Sequence, residues 1–230
     1  MPEPAKTLPV PTDVSPEMQR FIAAPRNPAW NVLWKTGEEW RSAANAQAAK
    51  TVKGIPAMRE RLHVTVQPGT MDGVKVHVVT PDTIPPGHRD KLLIHVHGGC
   101  YVLFPGESGT TEAIIMAGIG HFKVIAVDYR MPPEGYFPAA LDDAMTVYKA
   151  ALKTADPKNM AVFGTSAGTR DLLLSNTVRV HRRLREAGVD AQLEVFEGQS
   201  HAQYQFDDRV PETKEAFGEI TAFFDKHLGH

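Results

Sequence analysis

The 230-residue chain is expected to adopt an α/β fold, a mostly parallel sheet flanked by helices on both faces. Three observations point there. Residues 92–96, 124–127 and 160–163 are short, nearly continuous apolar runs, as central strands buried on both faces require. Helix-like stretches separate them. Two period-two segments around Met71-Asp72-Gly73 suggest an antiparallel hairpin at a sheet edge.

In chain order, residues 1–56 are punctuated by prolines and then rich in Ala, Glu, Gln and Arg, which reads as a helical N-terminal segment ahead of a core at 57–230. It holds all three tryptophans, Trp30, Trp34 and Trp40, which should pack rather than stand exposed. The hairpin arms are residues 61–66 and 73–79. A helix opened by Pro138 repeats Leu141, Met145, Tyr148 and Leu152 at helical spacing. Another spans 172–187 and stops at Gly188. Residues 191–196 read as one more strand. The last helix, opened by Pro211, lines up Phe217, Ile220, Phe224 and Leu228.

Composition narrows the function classes. Hydrophobic residues make up 42% and charged residues 23%, ordinary for a globular protein. Twenty-five basic against twenty-seven acidic residues leave a net charge of −2, so no field exists for nucleic acid. Arg179, Arg182, Arg183 and Arg185 on a helical stretch read as a solvated face. A single cysteine, Cys100, allows no intrachain disulfide and suits a reducing compartment, so a cytoplasmic location is expected. No signal peptide and no apolar run of membrane-spanning length are recognised, so no membrane partner is expected.

Five segments stand out as motifs. Gly164-Thr165-Ser166-Ala167-Gly168 follows a buried strand, the setting of a nucleophile elbow, with small residues around Ser166 because the turn is tight. His95-Val96-His97-Gly98-Gly99-Cys100-Tyr101 follows another, and adjacent glycines let backbone N–H groups approach an anion closely. A plain glycine turn would also fit, whereas a metal pair from His95 and His97 lacks a third ligand. Asp128-Tyr129-Arg130-Met131-Pro132-Pro133-Glu134 precedes Phe137-Pro138-Ala139-Ala140-Leu141-Asp142-Asp143. Asp171-Leu172-Leu173 and Gly198-Gln199-Ser200-His201 complete the set.

Together these motifs resemble the hormone-sensitive-lipase-like carboxylesterases of the α/β-hydrolase superfamily, in two pieces, about 1–168 and 169–230. The resemblance implies Ser166 as nucleophile, His201 as general base and Asp171 as the acid that orients it, in the hydrolase chain order. It implies an oxyanion hole from the N–H groups of Gly98, Gly99 and Ala167, and supporting roles for Asp128 and Glu134. Cys100 stands where the family often has a third glycine. No cofactor or metal is implied.

Only four residues separate Ser166 from Asp171, whereas the family places several elements there. Each parallel βαβ step takes about 30 residues, so roughly 60 are missing. The implied fold is thus a truncated α/β hydrolase lacking strands and cap elements between nucleophile and acid. The acid turn and the elbow then compete for the same few residues, since a helix begun near Ala167 would wrap Asp171 into its first turns. The expected substrate is a small ester, on short-chain acyl groups because the reduced cap leaves the site open. An uncovered sheet edge invites a homodimer or larger assembly. The rival readings are an impaired, oligomeric scaffold without turnover and a receptor-like binding module; retention of His201 speaks against the latter.

Overall fold

The computed structural model describes residues 9–25, 32–164 and 168–229. In chain order the elements are α1 (Pro16–Ala23), α2 (Gly37–Leu62), β1 (Val64–Met71), β2 (Val74–Pro81), β3 (Leu92–Val96), α3 (Thr111–Gly120), β4 (Lys123–Val127), α4 (Ala139–Ala151), β5 (Met160–Phe163), α5 (Leu174–Glu186) and α6 (Pro211–His227). Two compact units result: residues 33–165 with 217–230, and residues 1–32 with 166–216, the division falling within α6.

The first of these units holds a five-stranded mixed sheet in the order β1-β2-β4-β3-β5. β1 and β2 form the antiparallel hairpin, turning at Asp72 (φ 46°) and Gly73 (φ 88°), the left-handed pair a two-residue hairpin needs. β2 is antiparallel to β4, and β4, β3 and β5 run parallel. Leu92 aligns with Lys123 on one side and Met160 on the other, so the three parallel strands end together. The loops after Val96, Val127 and Phe163 therefore leave from one edge of the sheet, where open α/β sheets carry their chemistry.

Helices cover both faces. α3 (Thr-Glu-Ala-Ile-Ile-Met-Ala-Gly-Ile-Gly) is apolar nearly all round, and Ala113 to Ala117 are fully buried. α2 begins with a Thr36/Glu39 capping box, worth about 1 kcal/mol, and ends at His63 in the left-handed region. A Cβ on Gly118 of α3 would lie 2.7 Å from Leu62 of α2, so the helices approach closely there. α4 buries Asp143, Val147, Ala150 and Ala151; Val147 and Ala151 pack with Ile94, Ile125, Val127 and Met160. Of the apolar stripe legible in its sequence, Tyr148 packs against this core, whereas Leu141, Met145 and Leu152 are exposed. The helix is turned by Asp143, which faces inward to accept from the Arg130 backbone N–H (2.8 Å) and guanidinium (2.8–3.1 Å). In α6, Phe217, Phe224 and Leu228 are buried as the sequence pattern requires. Trp34 and Trp40 pack edge to face at 4.9 Å, although Trp40 stays 39% exposed; Trp30 lies outside the described residues.

In the other unit Ser15 caps α1 through Met18 N–H (3.1 Å), and its hydroxyl donates to Glu212 (2.8 Å). Val14, Met18 and Val210 form a small core, with Ile22 against it. Arg170 donates to the Pro9 carbonyl at 2.8 Å. The arginines of α5 lie on an exposed face, Arg183 pairing with Glu186 at 2.8 Å. The strand expected at 191–196 does not form. Among the described residues Phe196 alone bridges, in parallel, to Gly168. Apolar–polar alternation supplies a strand's side chains but not its partner. Among the described residues no helix is long and apolar enough to cross a membrane.

Candidate active site

The chain around Gly168 and the chain around Phe196 are laced together. Thr169 N–H donates to Phe196 O (3.0 Å) and Arg170 N–H to Gln199 O (2.9 Å). The Thr169 hydroxyl donates to Glu197 (3.1 Å) and accepts from Gly198 N–H (2.9 Å). A Cβ at Gly168 would lie 2.3 Å from the Gln199 carbonyl oxygen, so only glycine permits this approach. Residues 168–173 form the bridge and turns, and α5 starts only at Leu174. Asp171 is therefore held in a turn and not wrapped into a helix, which decides its side of the competition seen in the sequence.

From that turn Asp171 Oδ2 lies 2.8 Å from His201 Nδ1. Its other oxygen accepts from Leu173 N–H at 2.8 Å. The Asp171 side chain is fully buried, whereas that of His201 is 50% exposed. A buried carboxylate with both oxygens engaged fixes the ring's tautomer, with the proton on Nδ1 and Nε2 left to accept one. Ser166 and Ala167 lie outside the described residues.

Within the sheet-bearing unit, the loop after β3 carries Gly98 and Gly99. Gly99 has φ 109°, and a Cβ there would meet Leu103 O at 2.7 Å. Its carbonyl accepts from Val102 (3.0 Å) and Leu103 (2.9 Å), closing a tight turn. Among the described residues, the N–H groups of Gly98 and Gly99 donate to no protein acceptor. Cys100 and Tyr101 follow at φ 56° and 58°, in the left-handed region that favours glycine.

Neighbouring groups brace this loop. Tyr129 stacks on His97 (4.2 Å) and its hydroxyl donates to the His97 carbonyl. Burial pushes the Tyr129 phenol well above its ordinary value. His97 Nδ1 donates to Gly98 O at 2.7 Å, and burial lowers its pKa from 6.5 to about 4. Asp128 Oδ1 accepts from Gly106 N–H at 2.9 Å, holding the segment that follows. Burial opposes ionisation of Asp143, but the hydrogen bonds from Arg130 outweigh it and hold the carboxyl below the usual range. His95 Nε2 pairs with buried Glu112 at 2.9 Å. Each histidine of the conceivable metal pair thus engages one ring nitrogen in the scaffold and keeps the other buried without a partner among the described residues. Beside the loop, an open groove of about 1310 Å³ is lined by Trp40, Val102, Tyr129, Met131, Glu134 and Tyr136, among others.

Thr169, Glu112 and Gln203 contribute to this architecture without standing out in the sequence. Gln203 alone had a legible signal, because Ser200-His201-Ala202-Gln203 fits the S-x-x-Q capping pattern.

A family model described as alpha/beta hydrolase fold matches residues 93–170. An acetyl-hydrolase of Streptomyces hygroscopicus is 33% identical over 125 residues, 54% of this chain and 40% of that protein. An ethyl acetate hydrolase of Pseudomonas putida is 32% identical over 123 residues, 50% of this chain and 39% of the relative. The chain thus spans about two fifths of the length of these two relatives. The crystal structure of esterase E25 superposes with a TM-score of 0.91 at 30% identity, covering 98% of both chains. With a match of that extent added to the glycine loop and the Asp171–His201 pair, the chain belongs to the hormone-sensitive-lipase-like esterases of the α/β-hydrolase superfamily.

Proposed function

We propose that the protein is a serine carboxylesterase acting on short-chain acyl esters. The observation that carries this is the 2.8 Å bond between buried Asp171 and half-exposed His201. In this reading His201 Nε2 takes the Ser166 hydroxyl proton as the oxygen attacks the acyl carbonyl. It then returns that proton to the departing alkoxide. A water, deprotonated by the same nitrogen, then attacks the acyl-serine, and that proton passes to the departing Ser166 oxygen as the carboxylic acid leaves. The N–H groups of Gly98, Gly99 and Ala167 stabilise the oxyanion of each step. The names of the acetyl-hydrolase and ethyl acetate hydrolase relatives favour small acyl groups. A fluorophosphonate probe should label Ser166 in the parent and leave Ser166→Ala unlabelled. Folded parent protein that resists the probe would remove the proposal.

The assembly proposed with it is a homodimer formed at the β5 end of the sheet. β5 is the last strand of the sheet and carries no charged side chain to discourage pairing. Light scattering at micromolar concentration should return twice the chain mass; a monodisperse monomer contradicts it.

A further inference from the structure

Half of the His201 side chain is open to solvent, so packing does not hold the imidazole in place. Asp171 holds one ring nitrogen, and the backbone must hold the rest. That backbone is a single turn, Ser200 to Gln203, in which Ala202 takes φ 54° and Gln203 N–H donates to Ser200 O at 3.2 Å. A left-handed non-glycine residue costs roughly 1 kcal/mol or more, so something must keep the turn closed. The Gln203 side chain reaches back for this. Its Oε1 accepts from Ser200 N–H at 2.8 Å and from the Ser200 hydroxyl at 3.2 Å. Gln203 is 6% exposed, so little water competes for those donors.

We propose that Gln203 is a positioning residue for the general base, locking the Ser200–Gln203 turn so that His201 Nδ1 stays on Asp171. The inference rests on the esterase reading for its kinetic consequence, but not for its structural one. An angstrom of imidazole displacement is worth about 100-fold in rate. Leucine at 203 fills the space without accepting a hydrogen bond, asparagine is polar but too short, and glutamate accepts as glutamine does.

The test uses the full chain with two readouts. In p-nitrophenyl acetate hydrolysis, Gln203→Leu and Gln203→Asn should lower kcat about 10- to 100-fold with KM within about two-fold, and Gln203→Glu should restore most of kcat. By proton NMR, the low-field Nδ1–H resonance of His201, assigned by its loss in His201→Ala, should vanish in the Leu and Asn variants and persist in the Glu variant. If the resonance persists in the Leu and Asn variants, or kcat is unmoved in an active protein, the positioning role is refuted. Should the parent lack turnover while the resonance responds as described, Gln203 keeps its role and the hydrolase proposal alone fails.

Discussion

Replacing Asp171 with asparagine is expected to lower kcat for p-nitrophenyl acetate by about 10³- to 10⁴-fold while leaving the fold and KM nearly unchanged. The reason lies in which oxygen does what. One carboxylate oxygen accepts from the Leu173 N–H at 2.8 Å and the other faces His201 Nδ1 at 2.8 Å. An asparagine can satisfy Leu173 only by keeping its carbonyl there, which turns its NH₂ toward Nδ1. That nitrogen must then accept, so the ring proton moves to Nε2. In the proposed mechanism this is the nitrogen that takes the serine proton, and it is then occupied. Circular dichroism and the melting temperature should stay near the parent's. A variant within ten-fold of the parent's kcat would mean that Asp171 is not the orienting acid.

This geometry was only partly legible in the sequence. The runs at 92–96 and 124–127 read directly as strands because strands buried on both faces must be continuously apolar; 160–163 has the same pattern and forms a strand, but at the sheet edge with Val162 exposed and not in the centre as expected. The same property hid α3: a helix buried all round has no amphipathic period, and Thr111–Gly120 has none. On α4 the stripe Leu141, Met145, Tyr148 and Leu152 announced the helix but not its orientation, since the face it buries is Asp143, Val147, Ala150 and Ala151. At 191–196 alternation indicated a strand where the described residues form a single bridge. Motif order identified Asp171 and His201, yet whether they could meet was undecidable from spacing. They stand 30 positions apart, a separation that neither forces nor forbids contact. What brings them together is Gly168 lying flat against Gln199, a contact between residues 31 positions apart that no local pattern encodes.

The second large effect is on stability in acid. His97 donates Nδ1–H to Gly98 O, while Nε2 is buried with no hydrogen-bond partner among the described residues. Protonating Nε2 would place a charge and an unmatched donor in the interior, and burial accordingly lowers the pKa from 6.5 to about 4. Between those two values the unfolded chain binds a proton that the folded chain refuses, so stability rises with pH across the window. The contribution is complete above pH 6.5 and lost as pH falls to about 4, a difference of about 3 kcal/mol. Urea melts at pH 7, 5.5 and 4.5 should register most of this loss in the parent. His97→Gln can keep a donor for Gly98 O but does not titrate, so it should start less stable and lose much less over the same range. Parallel losses in parent and variant would show that the ring is already free to charge in the folded protein. The glycine loop that His97 braces would then owe its shape to Tyr129 and to its own turn.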